Sequence, residues 1–334
     1  MHVARMERSA IRDQPPPSPD YASLHPGYEN PEGTPVLTKP DKVKLFTLMG
    51  SYPNAMALKD GRITSDVVEF DFADVKVSNT AFKPLVREAK FDLAEVAIVT
   101  FLQAKHYGKP YVLIPATVVG RGQLHTIAYN PERGRLGPGD LNGKTLGVRA
   151  YTQTTGVWVR GILAEDYGVD LGSIKWVTFE EGHVAEYQDP PNVRRAAEGK
   201  QLAQMLLDGE LDAAIVGDKY PDPRLAPLVP DPETANRKWS ESHGGVPINH
   251  MLVIREQLAR TRPDVVREVY RVFQEAKLAA FAETGAPKLD PLRFGIEANR
   301  RSLEIVIDFA VKQGLLPRRF SVDELFSDTM RALG

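Results

Sequence analysis

The stretch GKTLGVRAYTQTTGVWVRGILAEDYGV, residues 143–169, contains a short apolar strand, a hydroxyl-rich turn and a helix in direct succession. The strand is predicted at 145–148, and the helix is expected to end at Gly168, since glycine tolerates the left-handed conformation that follows many helices. Between them, the residues at 152–155 place hydroxyl and amide groups beside backbone N–H groups that have no partner within a helix. Such a helix N-terminus attracts anions. We therefore expect this segment to bind a ligand that carries a carboxylate.

Outward from this segment, strand and helix patterns alternate on both sides, which predicts an α/β fold with mostly parallel sheets. A Gly- and Pro-rich linker at 130–144 precedes the segment, and a Pro-rich passage at 221–232 follows it. Within the second half, the run at 194–207 predicts a helix. After the strand predicted at 248–254, the sequence contains only helical patterns and ends near a capping box at 321–324.

This order of elements suggests that the chain leaves a first α/β lobe, builds a second lobe and returns to the first. The predicted domains are an extended Pro-rich arm at 1–41, a first lobe at 42–135 plus 246–334, and an inserted second lobe at 136–245. A ligand would then lie between the lobes.

Composition excludes several classes of protein. The chain has 334 residues and a net charge of −2, which gives no electrostatic reason to expect a nucleic acid or membrane partner. It has no cysteine, so disulfides, thiolate metal sites and cysteine nucleophiles are excluded. No run approaches the ~18 apolar residues of a membrane span, and no secretory signal is apparent in the first 40 residues. These features favour a cytoplasmic protein.

Several segments resemble the 4,5-dihydroxyphthalate decarboxylase family between residues 43 and 285. They are FDLAEVAIVTFL (91–102), LHTIAYN (124–130), the 143–169 stretch, IKWVTF (174–179), LDGELDAAIVG (207–217) and GVPINHMLVIREQL (245–258). The resemblance implies a two-lobed type II periplasmic-binding-protein-like fold with the ligand cleft between the lobes. It also implies removal of one carboxylate from a dihydroxylated aromatic diacid without an added organic cofactor. The positions that match functional positions of the family are His125, Tyr151, Trp158, Arg160, His250 and the acidic Glu95.

The chain also departs from the family pattern near the expected cleft. It has Ser51-Tyr52-Pro53-Asn54-Ala55 where the family has a charged stretch after the first strand. Leu124 replaces an expected arginine before His125, and Ala150 replaces an expected glutamate. These departures make the exact substrate an open question.

The residue types themselves suggest how such chemistry could work. A histidine can hold or release a proton near neutral pH, so His125 and His250 are the candidate proton donors. Arg149 directly follows a predicted strand and could bind a carboxylate through two parallel hydrogen bonds. The expected binding residues of the first lobe are Ser51, Tyr52, Asn79 and Glu95, and those of the second lobe are Arg149, Tyr151, Thr154, Thr155 and Arg160.

Several of these residues also have a simpler, structural interpretation. Trp158 suits core packing, and Arg160 could pair with Glu165 or with an acid of the other lobe. His183 and Glu186 have the nearest spacing to a metal pair, but they occur in a polar loop, and we predict no metal site. A non-catalytic solute-binding protein for an aromatic carboxylate is the alternative function, and a sensor domain is a weaker one. The helical tail could support a homo-oligomer.

Overall fold

A computed structural model describes residues 41–333. The predicted arm at 1–41 lies outside the described residues apart from Asp41. The strands are β1 Val43–Leu48, β2 Val68–Phe72, β3 Leu93–Ala97, β4 Tyr111–Gly120, β5 Ile127–Tyr129, β6 Thr145–Val148, β7 Lys175–Thr178, β8 Val193–Arg195, β9 Ala213–Ile215, β10 Ala226–Pro227 and β11 Ile248–Arg255. The helices are α1 Pro53–Lys59, α2 Phe82–Glu88, α3 Ile98–His106, α4 Thr154–Tyr167, α5 Leu202–Asp208, α6 Pro232–His243, α7 Glu256–Thr261, α8 Pro263–Thr284, α9 Ile296–Lys312 and α10 Asp328–Arg331.

The first lobe is built on a five-stranded sheet with the order β2-β1-β3-β11-β4. β1 runs parallel to β2 and β3, whereas β11 is antiparallel to both of its neighbours. Every residue of β3 is buried, which is expected of a central strand covered on both faces. The sheet therefore places Glu95, the one charged residue of β3, inside the lobe.

The second lobe is built on a six-stranded sheet with the order β10-β5-β9-β6-β7-β8. β6 is parallel to β7 and β9, and β5 is antiparallel to β9 and β10. The sequence analysis assigns residues up to 135 to the first lobe, but β5 belongs to the second sheet. The chain thus crosses between the lobes at 121–126, before the linker at 130–144.

Two local predictions differ from the structure. The predicted helix at 194–207 is instead strand β8 followed by α5, because β8 pairs with β7 and Gly199 takes a φ of 78° between the two elements. Helix α6 follows the Pro-rich passage and was not predicted, since it lacks an apolar stripe. Its start is nevertheless marked by Asp231, whose side chain accepts a hydrogen bond from the Thr234 N–H at 3.3 Å.

The C-terminal helices pack against both lobes. α8 packs on α1, while α9 contacts both β11 and the second-lobe helix α4. Trp158 lies at this junction, fully buried, and its indole N–H donates to the Ile248 carbonyl at 2.8 Å. Its ring also makes an edge contact with Phe309 of α9 at 5.6 Å. Trp158 is therefore a core residue, as the simpler interpretation holds.

Close packing of α4 on α9 depends on a glycine. A Cβ atom added to Gly161 would lie 2.1 Å from the Phe309 ring, far inside van der Waals contact. Only glycine allows the two helices to approach this closely without displacing that ring.

Candidate functional site

A cleft of about 720 Å³ lies between the two sheets and is lined by residues of both lobes. Its walls contain the ends of several strands and the N-terminus of α4, which is where ligands bind in many α/β proteins. The predicted site residues that line it are Tyr52, Asn79, Arg149, Thr154, Thr155 and His250.

The central acid–base pair of the cleft is His250 and Glu95. His250 on β11 lies opposite Ala97 on β3, so Glu95 is its diagonal neighbour on the same face of the sheet. The imidazole Nδ1 is 2.6 Å from Glu95 Oε2, and a second carboxylate oxygen accepts the Gly50 N–H at 2.6 Å. Because a carboxylate can only accept hydrogen bonds, Nδ1 carries the hydrogen, and Nε2 is left for the cleft.

The environment of Glu95 keeps it ionised although its side chain has no exposed surface. Burial alone would raise its pKa, but the charge and hydrogen bond of His250, with further hydrogen bonds from Ser78 and Gly50, hold the pKa below its usual range. A buried carboxylate behind an imidazole fixes the tautomer of the ring, with the hydrogen on Nδ1. His250 is therefore the cleft residue best arranged to donate a proton.

Tyr52 lies beside this pair and stays protonated. Burial, followed by the charge of Glu95, raises the pKa of its hydroxyl to about 12. The hydroxyl is 3.4 Å from Ser78 Oγ. Tyr52 can therefore act as a neutral hydrogen-bond partner in the wall of the cleft.

The opposite wall carries the predicted carboxylate site. Arg149 follows β6 and forms an ion pair with Glu180 at 2.9 Å. The threonines at the start of α4 are held by the first lobe: Thr154 Oγ1 accepts the Val99 N–H at 3.2 Å, and Thr155 Oγ1 accepts the Asn249 amide at 3.2 Å. These contacts fix the N-terminus of α4 so that it opens towards the cleft.

Several predicted residues do not reach the cleft. Ser51 is exposed and its hydroxyl is 3.2 Å from Lys59 Nζ. Arg160 is fully buried beneath the α4 turn, where it donates to the Tyr151 carbonyl at 2.6 Å and lies 4.0 Å above the Tyr151 ring. Its other partner is Gln313 of the tail at 2.7 Å, and not Glu165, which pairs with Lys312. Tyr151 and Arg160 therefore support the turn from behind.

His125 is also outside the lining of the cleft. Its Nε2 is 3.0 Å from Asp218 Oδ1, and Asp218 is in turn bound by Arg121 at 2.8 Å. Arg121 and Asp218 do line the cleft, although the sequence analysis did not single them out. Arg121 directly follows β4 and Asp218 comes three residues after the end of β9, and this position near a strand end is the available signal.

The most informative residue that the sequence pattern did not place in the ligand site is His183, which it offered only as a poor metal ligand. It lies in the loop between β7 and β8, residues 179–192, which we call the β7–β8 loop. The residue lines the cleft and is only 6% exposed, and its Nδ1 is 2.8 Å from Thr100 Oγ1 in the first lobe. Burial, followed by the positive charges of Arg149, Lys83, His250 and Arg87, lowers its pKa to about 3. His183 is therefore uncharged at neutral pH.

The β7–β8 loop is held by cations of the first lobe. Arg87 donates to the carbonyl oxygens of Gly182 and His183 at 2.9 and 2.8 Å, and it pairs with Glu181 at 3.0 Å. Lys109 pairs with Glu186 at 2.5 Å. The pairing of Glu186 with a lysine also removes it from the metal pair considered with His183.

Within residues 41–333, no three histidine, aspartate or glutamate side chains are grouped so that they could hold a metal ion. None of the helices in that part of the chain is both long and apolar enough to cross a membrane.

Comparison with curated proteins gives two relatives. The chain is 28% identical over 327 residues to a 4,5-dihydroxyphthalate decarboxylase from Comamonas testosteroni, covering 85% of this chain and 96% of the relative. It is 30% identical over 214 residues to a 4,5-dihydroxyphthalate decarboxylase from Pseudomonas putida, covering 60% of this chain and 82% of that protein. No family model matches the chain.

Solved structures share the fold at low sequence identity. The periplasmic aliphatic sulphonate binding protein SsuA from Escherichia coli is 13% identical, with a TM-score of 0.54 over 86% of this chain and 92% of that protein. The desulfurization enzyme DSZB is 14% identical, with a TM-score of 0.52 over 87% of this chain and 99% of that protein. These similarities confirm the predicted two-lobed, periplasmic-binding-protein-like fold.

Proposed function

Because the chain belongs to the 4,5-dihydroxyphthalate decarboxylase family, we propose that it removes one carboxylate from a hydroxylated phthalate as CO₂. The observation that carries the proposal is the His250–Glu95 pair in the cleft between the lobes, where Nδ1 and Oε2 are 2.6 Å apart. The proposed reaction uses no metal or organic cofactor.

Two groups on the α4 side of the cleft are assigned to hold the carboxylate of the substrate. Arg149 offers a guanidinium fork, and the first turn of α4 offers N–H groups and the positive end of the helix dipole. Glu180, now paired with Arg149, is 46% exposed on its side chain and can turn to solvent when a substrate carboxylate takes its place. An ionised carboxylate is thereby fixed in one orientation before any bond breaks.

His250 is assigned to deliver the proton. Its protonated imidazole transfers a proton from Nε2 to the ring carbon that bears the departing carboxylate. The bond from that carbon to the carboxylate then breaks, its electron pair restores the aromatic ring, and CO₂ leaves. His250 becomes neutral and regains one proton from solvent, so the net reaction consumes one proton for each CO₂ released.

A ring hydroxyl para to the reacting carbon supports this step because it donates electron density to the protonated ring. In 4,5-dihydroxyphthalate each carboxylate has such a hydroxyl. The Glu95 carboxylate stabilises the imidazolium before the transfer, and its burial keeps that interaction strong.

His125 receives a different assignment from His250. Its Nε2 is engaged by Asp218 at the crossing between the lobes, and the Tyr220 hydroxyl donates to its backbone carbonyl at 2.8 Å. We assign His125 to positioning Asp218 and the crossing segment, and not to proton transfer.

The test is to incubate the purified protein with 4,5-dihydroxyphthalate and measure CO₂ and the monocarboxylate product. We expect turnover in the wild type, at least a 100-fold loss in His250→Gln and no more than a 10-fold loss in His125→Gln. A wild type that binds the compound tightly but releases no CO₂ contradicts the proposal and supports a solute-binding role. Equal activity of His250→Gln and wild type contradicts the assignment of the proton donor.

We also propose that the protein is cytoplasmic and that its binding partner is a small aromatic carboxylate. The C-terminal helices would be the surface for self-association.

A further inference from the structure

His183 is the second histidine in the wall of the cleft, and its surroundings differ from those of His250. Behind His250 there is a carboxylate, whereas behind His183 there is the hydroxyl of Thr100 at 2.8 Å. The edge contacts of Phe82 connect the two imidazoles, with ring centroids 5.2 Å from His250 and 5.5 Å from His183. One aromatic ring thus separates His250, which is backed by a carboxylate, from His183, which is backed by a hydroxyl.

The position of His183 is fixed from the first lobe. Arg87 binds its backbone carbonyl, and Thr100 binds Nδ1, so neither the loop nor the ring can turn without breaking these contacts. Since Nδ1 faces Thr100, Nε2 is the ring nitrogen available to a ligand. Among residues 41–333, no hydrogen bond engages that atom.

The chemistry of Nε2 fits a hydroxyl better than a carboxylate. If Thr100 donates to Nδ1, Nε2 carries the hydrogen and donates; if Nδ1 donates to Thr100, Nε2 accepts. A phenolic hydroxyl can pair with either form because it both donates and accepts. A carboxylate only accepts, and it gains more from the charged Arg149 and the α4 N-terminus on the same cleft.

We propose that His183 is a specificity-determining residue that hydrogen-bonds a ring hydroxyl of the substrate through Nε2. This inference rests on the proposed function, since it assumes a hydroxylated aromatic acid in the cleft. It adds that the enzyme recognises the hydroxylated end of the ring through the β7–β8 loop.

The test compares the affinities of phthalate and 4,5-dihydroxyphthalate by calorimetry in a His250→Gln background, so that the ligand is not consumed. His183→Phe keeps a buried ring but removes Nε2, and Thr100→Val is the matched control that removes the supporting hydroxyl and leaves Nε2. Without a substitution at 183, we expect tighter binding of the dihydroxy compound. In His183→Phe this preference should fall about tenfold, the effect of one lost hydrogen bond, with phthalate affinity within threefold.

The Thr100→Val control should retain most of the preference for 4,5-dihydroxyphthalate over phthalate. His183→Gln should show more of this preference than His183→Phe, because an amide can also pair with a hydroxyl. A preference that is unchanged in His183→Phe overturns the inference. Equal losses for both ligands also overturn it, since they indicate a purely structural role. If the protein with His183 intact binds neither ligand, the proposed function fails and the inference fails with it. Absence of CO₂ release from the wild type, together with a His183-dependent preference in the His250→Gln background, contradicts only the decarboxylase assignment.

Discussion

At the scale of single residues, the proposed role of His250 depends on the charge of Glu95. Glu95→Gln keeps the shape of the side chain but removes the negative charge, so the imidazolium is no longer stabilised and the ring tautomer is no longer fixed. We expect kcat to fall at least 100-fold while ligand affinity changes less than tenfold, measured by CO₂ release and calorimetry. Glu69→Gln, an exposed carboxylate on β2, is the control and should behave as wild type. Unchanged kcat in Glu95→Gln contradicts this role.

The depressed pKa of His183 predicts a specific dependence of stability on pH. Because the folded pKa is about 3 and an unfolded histidine titrates near 6.5, the unfolded state binds more protons between these values. Above pH ~6.5 this histidine does not reduce the free energy of unfolding. As the pH falls below that value, the free energy of unfolding decreases, by about 2 kcal/mol at pH 5. Urea unfolding of wild type and His183→Gln at pH 7.5 and 5 measures this. Between pH 7.5 and 5, the free energy of unfolding of His183→Gln should decrease by about 2 kcal/mol less than that of the wild type. Equal decreases in the two proteins contradict the depressed pKa of His183.

Arg149 should contribute to binding more than to the chemical step. We expect Arg149→Gln to weaken substrate binding at least tenfold with a smaller change in kcat, because the carboxylate loses its guanidinium partner. Arg149→Lys should recover only part of the affinity, since an ammonium cannot form the two parallel hydrogen bonds. Arg195→Gln, on the edge strand β8, is the control. Steady-state kinetics gives both parameters, and an unchanged KM in Arg149→Gln contradicts the proposal.

Some of these residues are predictable from the sequence because their signals are local. Arg149 and the threonines occur next to a recognisable strand and helix start, and His250 and Glu95 match family positions. His183 has no such signal. It is buried because Arg87, Thr100 and Phe82, all at least 83 positions earlier, surround it.

At the scale of elements, the contact of α4 with α9 gives a test of packing. Alanine normally stabilises a helix interior relative to glycine by about 1 kcal/mol, but a Cβ at Gly161 would overlap Phe309. We expect Gly161→Ala to lower the free energy of unfolding by about 1–3 kcal/mol, measured by urea unfolding.

The matched control for that substitution is Gly139→Ala, because nothing lies within 4 Å of the added Cβ. It should change stability by less than about 0.5 kcal/mol. If Gly161→Ala is as stable as the control, α4 and α9 are not packed as described.

Elements with strong local signals were predicted well, and those decided by pairing were not. The unit of β6 and α4 has the predicted bounds within one residue, since its apolar strand, hydroxyl-rich turn and terminal glycine act locally. The run at 194–207 has helical composition, yet its first residues pair with β7 as an edge strand. Whether these residues form a helix or a strand depends on their pairing with β7, which the sequence of the run does not reveal.

At the scale of the whole molecule, the β7–β8 loop links the second lobe to the first across the cleft. In Arg87→Met the hydrogen bonds to Gly182 and His183 are lost, so the contact between the two lobes across the cleft is weaker. We expect ligand dissociation to become about tenfold faster, measured by stopped-flow displacement, with a smaller change in the association rate. Arg271→Met on the outer face of α8 is the control. Unchanged dissociation in Arg87→Met indicates that the loop does not hold the lobes closed.

Lobe membership was the part of the fold that local patterns could not supply. β5 has the same apolar composition in either lobe, and only its pairing with β9, more than 80 residues later, places it in the second sheet. The return of the chain to the first lobe was predictable because the linkers and the helical tail mark it.

The central place of β11 has a consequence for biosynthesis. β11 separates β3 from β4, although it follows them by more than 120 residues. While the chain emerges from a ribosome, the first sheet has a gap at its middle until residue 255 is released, and two unpaired strand edges face that gap. The same strand delivers His250. A nascent chain therefore acquires the proposed proton donor and closes the gap in this sheet in one late event, so a chain that stops before residue 248 lacks both.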